Sequence, residues 1–503
     1  MSISRRSLLR NTGSVFALLL FVASIASFTA AAGATESFDL VLKGGRVIDP
    51  ETGLDATRDV GIRGDTIAAV STVPLQGKRV IDASGLVVSP GFIELHQHGF
   101  DEASYRTLAQ DGITTALELE VGVPDIRRFV ETNRGKALIH YGASASFLAA
   151  RLEAWDAPVP PSLFGPDAGV VPKSGPETND AATPEQLKRV LRTLREEVTA
   201  GALGVGIGLE YAPGTTRHEV IEIFRGAKSV EAPVFVHARS SGIREPGSGI
   251  ESVSELIGAA AISGASVHIV HVNSVCMTDS MECIEMIRGA RQRGLDVTTE
   301  AYPYTVAITT INSAYFNRGW REKRGLDYDD LEIPETGERL TKEKFDAFYA
   351  ATERRLILIH ANPDSIVDMV MSEPSVIVAS DGMLQHPRGA GTRARVLARY
   401  VRDQKSLSLL AAIAKMSLMP ARRLEQLTPV ARRLGRIQEG ARADIAVFDP
   451  ATVQDRATFR AAAEPSVGMR YVMVAGTLVV DGGQVVDGVA PGQPLLRTVV
   501  PRQ

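Results

Sequence analysis

Eight short apolar runs alternate with helix-like stretches between Ser89 and Arg432, and this alternation constrains the fold more than any other feature of the chain. In order the runs are "GFIELHQH", "ITTALELE", "ALIHYGAS", "LGVGIGLE", "PVFVHA", "SVHIVHVN", "DVTTEAY" and "SVIVASD". Each is of strand length, and most are rich in apolar residues, as a strand covered on both faces must be. The intervening segments, such as "TPEQLKRVLRTLREEV", place apolar residues at helical spacing. Strand followed by helix, repeated, builds a parallel sheet, and eight such units close into a (β/α)8 TIM-like barrel. A polar, charged stretch at about 310–355, between the seventh and eighth runs, reads as an insertion placed to act as a lid.

The flanks have a different texture. "FDLVLKGGRVID", "DVGIRGDTIAAVS" and "KRVIDASGLVVS" lie before the barrel, and "GARADIAVFDP", "VGMRYVMVAGTLVVDGG" and "QVVDGVA" after it. Turns containing Gly and Asp separate them, the mark of antiparallel strands. Neither end can enclose a core alone. The simplest closure is a small β-sandwich domain built from both ends, residues 35–88 and 433–503, packed beside a barrel at 89–432.

Residues 1–34 do not belong to the fold. "SRRSLLR" is a basic start with paired Arg5 and Arg6, and Val15 to Phe28 is mostly apolar but too short to span a bilayer. Ala32-Gly33-Ala34 fits a small-residue cleavage site. The pattern resembles a Tat signal peptide and implies a periplasmic protein with no stable membrane association after cleavage. A formal net charge of −4 over 503 residues, without a basic patch, argues against a nucleic-acid partner. Nothing in the sequence sets the oligomeric state. The two cysteines, Cys276 and Cys283, would lie about 10.5 Å apart along one continuous helix. A disulfide requires Cα atoms within about 7 Å, so two free buried thiols are expected.

Catalytic groups of a barrel gather at the C-terminal ends of its strands. Those ends carry His96 and His98, Glu120, His237, His271 and Asp381. Side chains on a strand repeat every two residues, so His96 and His98 project from one face toward one point. Imidazoles with carboxylates are the donors a zinc site uses, here for one or two Zn2+ ions. His140, His218, His268 and His360 read as ordinary structural histidines; His268 precedes His271 by three residues and faces the other way.

"VVSPGFIELHQHG", "HVNS", "ASDG" and "LVLKGGRVIDPETG" resemble the amidohydrolase superfamily. Within it, "GALGVGIGLEYAPG", "HARSSG", "AYPYT", "HPRGAGTRARVLARYVRD", "MSLMPARRLEQL" and "GRIQEGARADIAVFDPATVQDRATF" resemble the N-acyl-D-amino-acid deacylases, from Phe38 to Gly483. The resemblance implies that His96, His98, His237, His271 and Asp381 hold metal. It also shows a departure: where that family carries a metal-binding cysteine after the second strand, this chain has Val121, and Glu120 is the nearest residue able to bind. Glu210 is the main rival for the bridging role, although an ordinary loop carboxylate is the favoured reading for it. "LELEVG" with "TTEAYPYT" looks like the N-acyl-D-glutamate deacylase subgroup.

The expected reaction is metal-dependent hydrolysis of a small N-acyl amino acid. Asp381 would carry the proton from water to the leaving amine, and Tyr211 would donate to the carbonyl oxygen. Arg388, and after it Arg239, would grip the substrate carboxylate, with Tyr302 lining the pocket. A dipeptidase or cyclic-amide hydrolase on the same scaffold, or a non-catalytic binding homologue, remains an alternative.

Overall fold

The computed structural model describes residues 37–163 and 173–498; the signal-peptide expectation falls outside them. Eight parallel strands form the central sheet: Phe92–Glu94, Ile113–Val123, His140–Ser146, Val205–Gly208, Val234–His237, Val267–Ile269, Val297–Ala301 and Ile377–Val378. All eight expected runs are strands, shorter than their apolar stretches in most cases. The last strand is joined to the first just beyond their ends, where His98 N–H donates to Gly382 O at 2.9 Å and Gly382 N–H to His96 O at 3.1 Å. The barrel therefore closes at its C-terminal mouth.

Helices between the strands follow from local chemistry. In Pro184–Ala200, Thr183 accepts the N–H of Gln186 while the Gln186 side chain accepts the N–H of Thr183, and proline fills the first helical position. Leu187, Val190, Leu194 and Val198 lie on one stripe and are buried against the barrel. No helix among the described residues is long and apolar enough to cross a membrane.

Both chain ends contribute to a single nine-stranded sheet. Its N-terminal part runs through Phe38–Asp49, Leu54–Arg63, Thr66–Ser71 and Gly77–Asp82; its C-terminal part comprises Ile445–Phe448, Met469–Val474, Thr477–Asp481 and Gln484–Val485. The joint is Val87–Pro90, which pairs parallel with the first strand and antiparallel with Ile445–Phe448, Val88 opposite Val447. Leu40, Leu42, Val60, Ile62, Ile437 and Ile445 form a core of their own beneath it.

Between the seventh and eighth barrel strands the chain builds a separate three-stranded antiparallel sheet from Val306–Thr310, Leu331–Glu332 and Leu356–His360. Beside it Trp320, Phe345 and Tyr349 stack, with Phe316 edge-on to Trp320.

The cysteine expectation fails. Cys276 and Cys283 are joined by a disulfide with Cα atoms 6.6 Å apart. The continuous helix assumed for them is absent: a short helix ends at Cys276, Met277 takes a positive φ of 47°, and the next helix starts at Ser280. That reversal folds Cys276 back toward Cys283.

Candidate metal centre

The first pair of ligands follows from strand geometry. Beyond Glu94 the chain bends at Leu95 and runs on through single bridge pairs, His96 with Glu118 and Gln97 with Gly382, which bring the rings of His96 and His98 to 5.0 Å between centroids. Glu120 arrives differently. The second strand pairs with the third up to Glu118 opposite Ala143, then resumes only at Val123 opposite Ala145, so a bulge carries Leu119 to Gly122. Gly122 adopts a φ of +67°, and a Cβ there would stand 2.6 Å from Ser144 O. Only glycine allows this bulge, which swings Glu120 to the centre of the mouth. His271 and Asp381, both just past strand ends, also hold positive φ, 29° and 50°. Strained backbone at non-glycine residues is characteristic of sites where the surrounding structure fixes function.

The six residues converge as two groups that share Glu120: His96, His98, Glu120 and Asp381; and Glu120, His237 and His271. In the first, His96 Nε2 lies 3.1 Å from Glu120 Oε2 and 3.4 Å from Asp381 Oδ1, while His98 Nε2 lies 3.3 and 3.2 Å from the same atoms. In the second, His237 Nδ1 and His271 Nε2 stand 2.7 and 3.0 Å from Glu120 Oε1. Four donors arranged tetrahedrally about a zinc at 2.0–2.1 Å are about 3.3 Å from one another, which is the spacing of the first group. His96 Nε2 is moreover buried without a hydrogen bond. The donors fit one or two divalent cations: His96, His98, Glu120 and Asp381 would hold the first, and Glu120, His237 and His271 a second.

Electrostatics agrees. Burial alone pushes the His96 imidazole down, but Glu120, Asp381 and Glu300 around it lift it well above its ordinary value. For His98, burial is likewise outweighed by Glu118, Asp381 and Glu120, and His237 is raised to about 9 against its own burial by Glu120 and Glu210. Burial would raise Glu120, yet His96, His237 and His271 hold it well below the carboxylate range. These groups share out protons that a divalent cation would displace.

Three carboxylates aim the rings from behind, and sequence reasoning assigned none of them that task. Glu300 accepts from His96 Nδ1 at 2.6 Å and contacts His268 at 3.0 Å, Glu118 meets His98 Nδ1 at 2.6 Å, and Glu210 meets His237 Nε2 at 3.0 Å. Such partners fix ring orientation and raise ligand basicity. Glu210 is therefore not the bridge; it is itself held by Ser241 and Arg324. The signal available was a carboxylate inside an otherwise buried run, "LELE" and "TTEA". His268, expected to be structural, is fully buried and bonded to Thr298 and Glu300.

The substrate-binding expectations divide. Arg388 is buried, its Nη2 2.7 Å from Asp381 Oδ2 and its guanidinium 4.7 Å from the centre of the Tyr302 ring. Its Nε and Nη1 are buried without hydrogen-bond partners. Tyr302 in turn stands edge-on to His271 at 6.3 Å. Tyr211 packs its ring 5.0 Å from His237 and bonds Thr309 of the inserted sheet at 3.1 Å. Arg239 is the correction: Nε and Nη2 are spent on Glu255 at 2.8 and 2.7 Å, and Nη1 on Thr215 O at 2.6 Å. The strand ends at His237, so strand alternation no longer sets the direction of Arg239, which turns to Glu255 of the helix Gly249–Ser263.

A parallel barrel that gathers four histidines, a glutamate shared by both groups and an aspartate at its C-terminal mouth defines a metal-dependent hydrolase. The chain belongs to the amidohydrolase family, which residues 177–480 match. It is 31% identical over 479 residues to the N-acyl-D-glutamate deacylase of Alcaligenes xylosoxydans xylosoxydans, spanning 88% of this chain and 94% of that one. The D-aminoacylase of the same organism is 28% identical over 508 residues, 92% and 99% of the two chains. The crystal structure of Bordetella bronchiseptica N-acyl-D-glutamate deacylase, complexed with zinc and a phosphonate mimic of the tetrahedral intermediate, superposes with a TM-score of 0.76 at 25% identity, covering 92% and 100%.

Proposed function

We propose that the protein hydrolyses the amide bond of N-acyl-D-amino acids, releasing a carboxylate and a free D-amino acid, with N-acyl-D-glutamate the first substrate to test. The observation that carries this reading is the placement of Arg388, with two unpaired buried N–H groups, against Asp381 at the edge of the cation cradle. A buried guanidinium that still has unpaired N–H donors beside a hydrolytic centre suits a substrate that carries a carboxylate next to its scissile amide. The likeness to two N-acyl-D-amino-acid hydrolases over nearly the whole chain supports the choice of D substrates.

Zinc held by these donors supplies a Lewis acid for the acyl oxygen and lowers the pKa of coordinated water to about 7. Asp381 does the proton work. Burial would raise its carboxyl, but Arg388, His96 and His98 hold it far below the usual range, so it stands ionised and ready to accept a proton from the attacking water. Once protonated, it hands that proton to the amide nitrogen, which is too basic to leave without it. Tyr211 keeps its phenolic proton, because burial and the nearby Glu120 push its pKa well above the ordinary value. It therefore remains a donor for the acyl oxygen as negative charge builds there. Arg388 and Tyr302 hold the α-carboxylate.

Zinc-loaded protein assayed with N-acetyl-D-glutamate, N-acetyl-L-glutamate and a hydantoin tests the reading; turnover of the hydantoin alone overturns it. Export is a second part of the proposal. The paired Arg5 and Arg6, the apolar run and the small-residue cleavage site support Tat-dependent delivery to the periplasm. Fractionation with and without a functional twin-arginine pathway tests it.

A further inference from the structure

Beside the cation cradle the barrel mouth opens into a cavity of about 890 Å³, with His98 and Glu118 at its inner end. Among the described residues one wall is apolar, made by Phe100, Val123, Pro124, Phe129, Val159 and Pro161, while Asp101, Asp125 and Arg128 are among the polar residues that line the rest. Phe100 and Phe129 meet edge to face at 5.1 Å and stay only partly buried. Val159, on the lip, is 39% exposed. Large apolar side chains grouped around open space mark a surface that gains from an apolar occupant.

The position of the cavity identifies that occupant. None of Asp381, Arg388, Tyr211 or Tyr302 is among its lining residues, so it opens off the cradle on the His98 side, apart from the carboxylate anchor. An N-acyl amino acid is a linear molecule: α-carboxylate, Cα, amide nitrogen, acyl carbonyl, acyl chain. With the carboxylate on Arg388 and the carbonyl at the cation cradle, the acyl chain leaves on the far side of the carbonyl. An acetyl group ends in one methyl, close in size to a water molecule with its share of about 30 Å³. It would leave nearly all of this space empty.

We infer that the cavity is the acyl-chain site and that the enzyme prefers N-acyl-D-amino acids with extended apolar acyl groups to their N-acetyl counterparts. The inference rests on the deacylase reading and specifies its substrate class. Phe100 and Phe129 clasp the chain, and Val123, the last residue of the second barrel strand, borders its path next to the bulge that carries Glu120.

The test is kcat/KM of the zinc-loaded full chain on one D-amino acid, carrying acetyl, butanoyl, hexanoyl and octanoyl groups below their aggregation concentrations. Burying each methylene raises kcat/KM by roughly twofold to fourfold. Val123→Trp, which fills the cavity, lowers the octanoyl-to-acetyl ratio by at least about tenfold. Phe129→Trp is a second filling variant for the case in which the first does not fold. An acetyl substrate turned over as well as or better than the longer ones overturns the acyl-chain assignment and leaves the deacylase reading standing. A length preference that both filled variants retain also overturns the assignment. No turnover of any member of the series overturns both readings together.

Discussion

Replacing Arg388 with methionine separates its two tasks. The guanidinium is buried to 1% of its side-chain surface, with one edge on Asp381 at 2.7 Å and Nε and Nη1 without partners. A substrate carboxylate that takes one of these unpaired N–H groups together with the second N–H of Nη2 gains two charge-assisted hydrogen bonds, each contributing roughly 1.5–3 kcal/mol. Losing them costs about 3–6 kcal/mol, or about 10²–10⁴-fold in kcat/KM. Arg388→Met also strips Asp381 of a counter-charge, so a second substrate is needed: the same acyl amide without the α-carboxylate. Between wild type and variant, kcat/KM for the full substrate falls by that factor, while for the truncated substrate it falls far less. Arg388→Lys keeps a charge beside Asp381 but not the fork, and recovers only part of the loss. Steady-state assays on the two substrates read the difference. Equal losses on both would refute the carboxylate grip and leave Arg388 as a partner of Asp381 alone.

Glu120→Gln leaves three donors at the first cation position and only His237 and His271 at the second, so the zinc content measured by mass spectrometry falls by about one ion per chain. Lys415 is buried, with its ammonium on Met371 O and Glu373 O, and burial lowers its pKa from 10.5 to about 7. The folded state thus binds fewer protons than the unfolded one between those values, and stability rises with pH across that window by up to about 1.4 kcal/mol per pH unit. Urea titrations at pH 7.5 and 9.5 show this slope, and Lys415→Met flattens it; an unchanged slope in the variant assigns the dependence to other groups. The Cys276–Cys283 bond closes a short loop, and its reduction lowers stability by about 2 kcal/mol; equal unfolding midpoints with and without reductant would contradict it.

Much of the barrel was legible because a strand covered on both faces must be written as an apolar run, and an imidazole at the end of such a run stands out. His96, His98, His237, His271 and Asp381 were visible for that reason. What escaped was whatever depends on departures from regular geometry or on contacts between distant elements. Period-two alternation puts Glu118 and Glu120 on one face, but the bulge before Val123 gives them different tasks, one behind His98 and one between the two cation positions. The reversal at Met277 has no proline or glycine to announce it, so the disulfide was invisible. Arg239 was judged by its nearness to His237 in sequence, whereas its true neighbour, Glu255, comes from a helix that packs there only in the folded chain. Arg324 and Thr309 reach the site from the inserted segment, and nothing in their local pattern marks that destination.

The seam between the first and last barrel strands has a consequence for assembly. The backbone bonds that stitch it, between His96, His98 and Gly382, belong to the residues that offer their side chains, or a neighbour's, to the first cation. An ion gripping His96, His98 and Asp381 would therefore also act as a clasp on the cylinder itself, adding to the backbone bonds that already shut the wall.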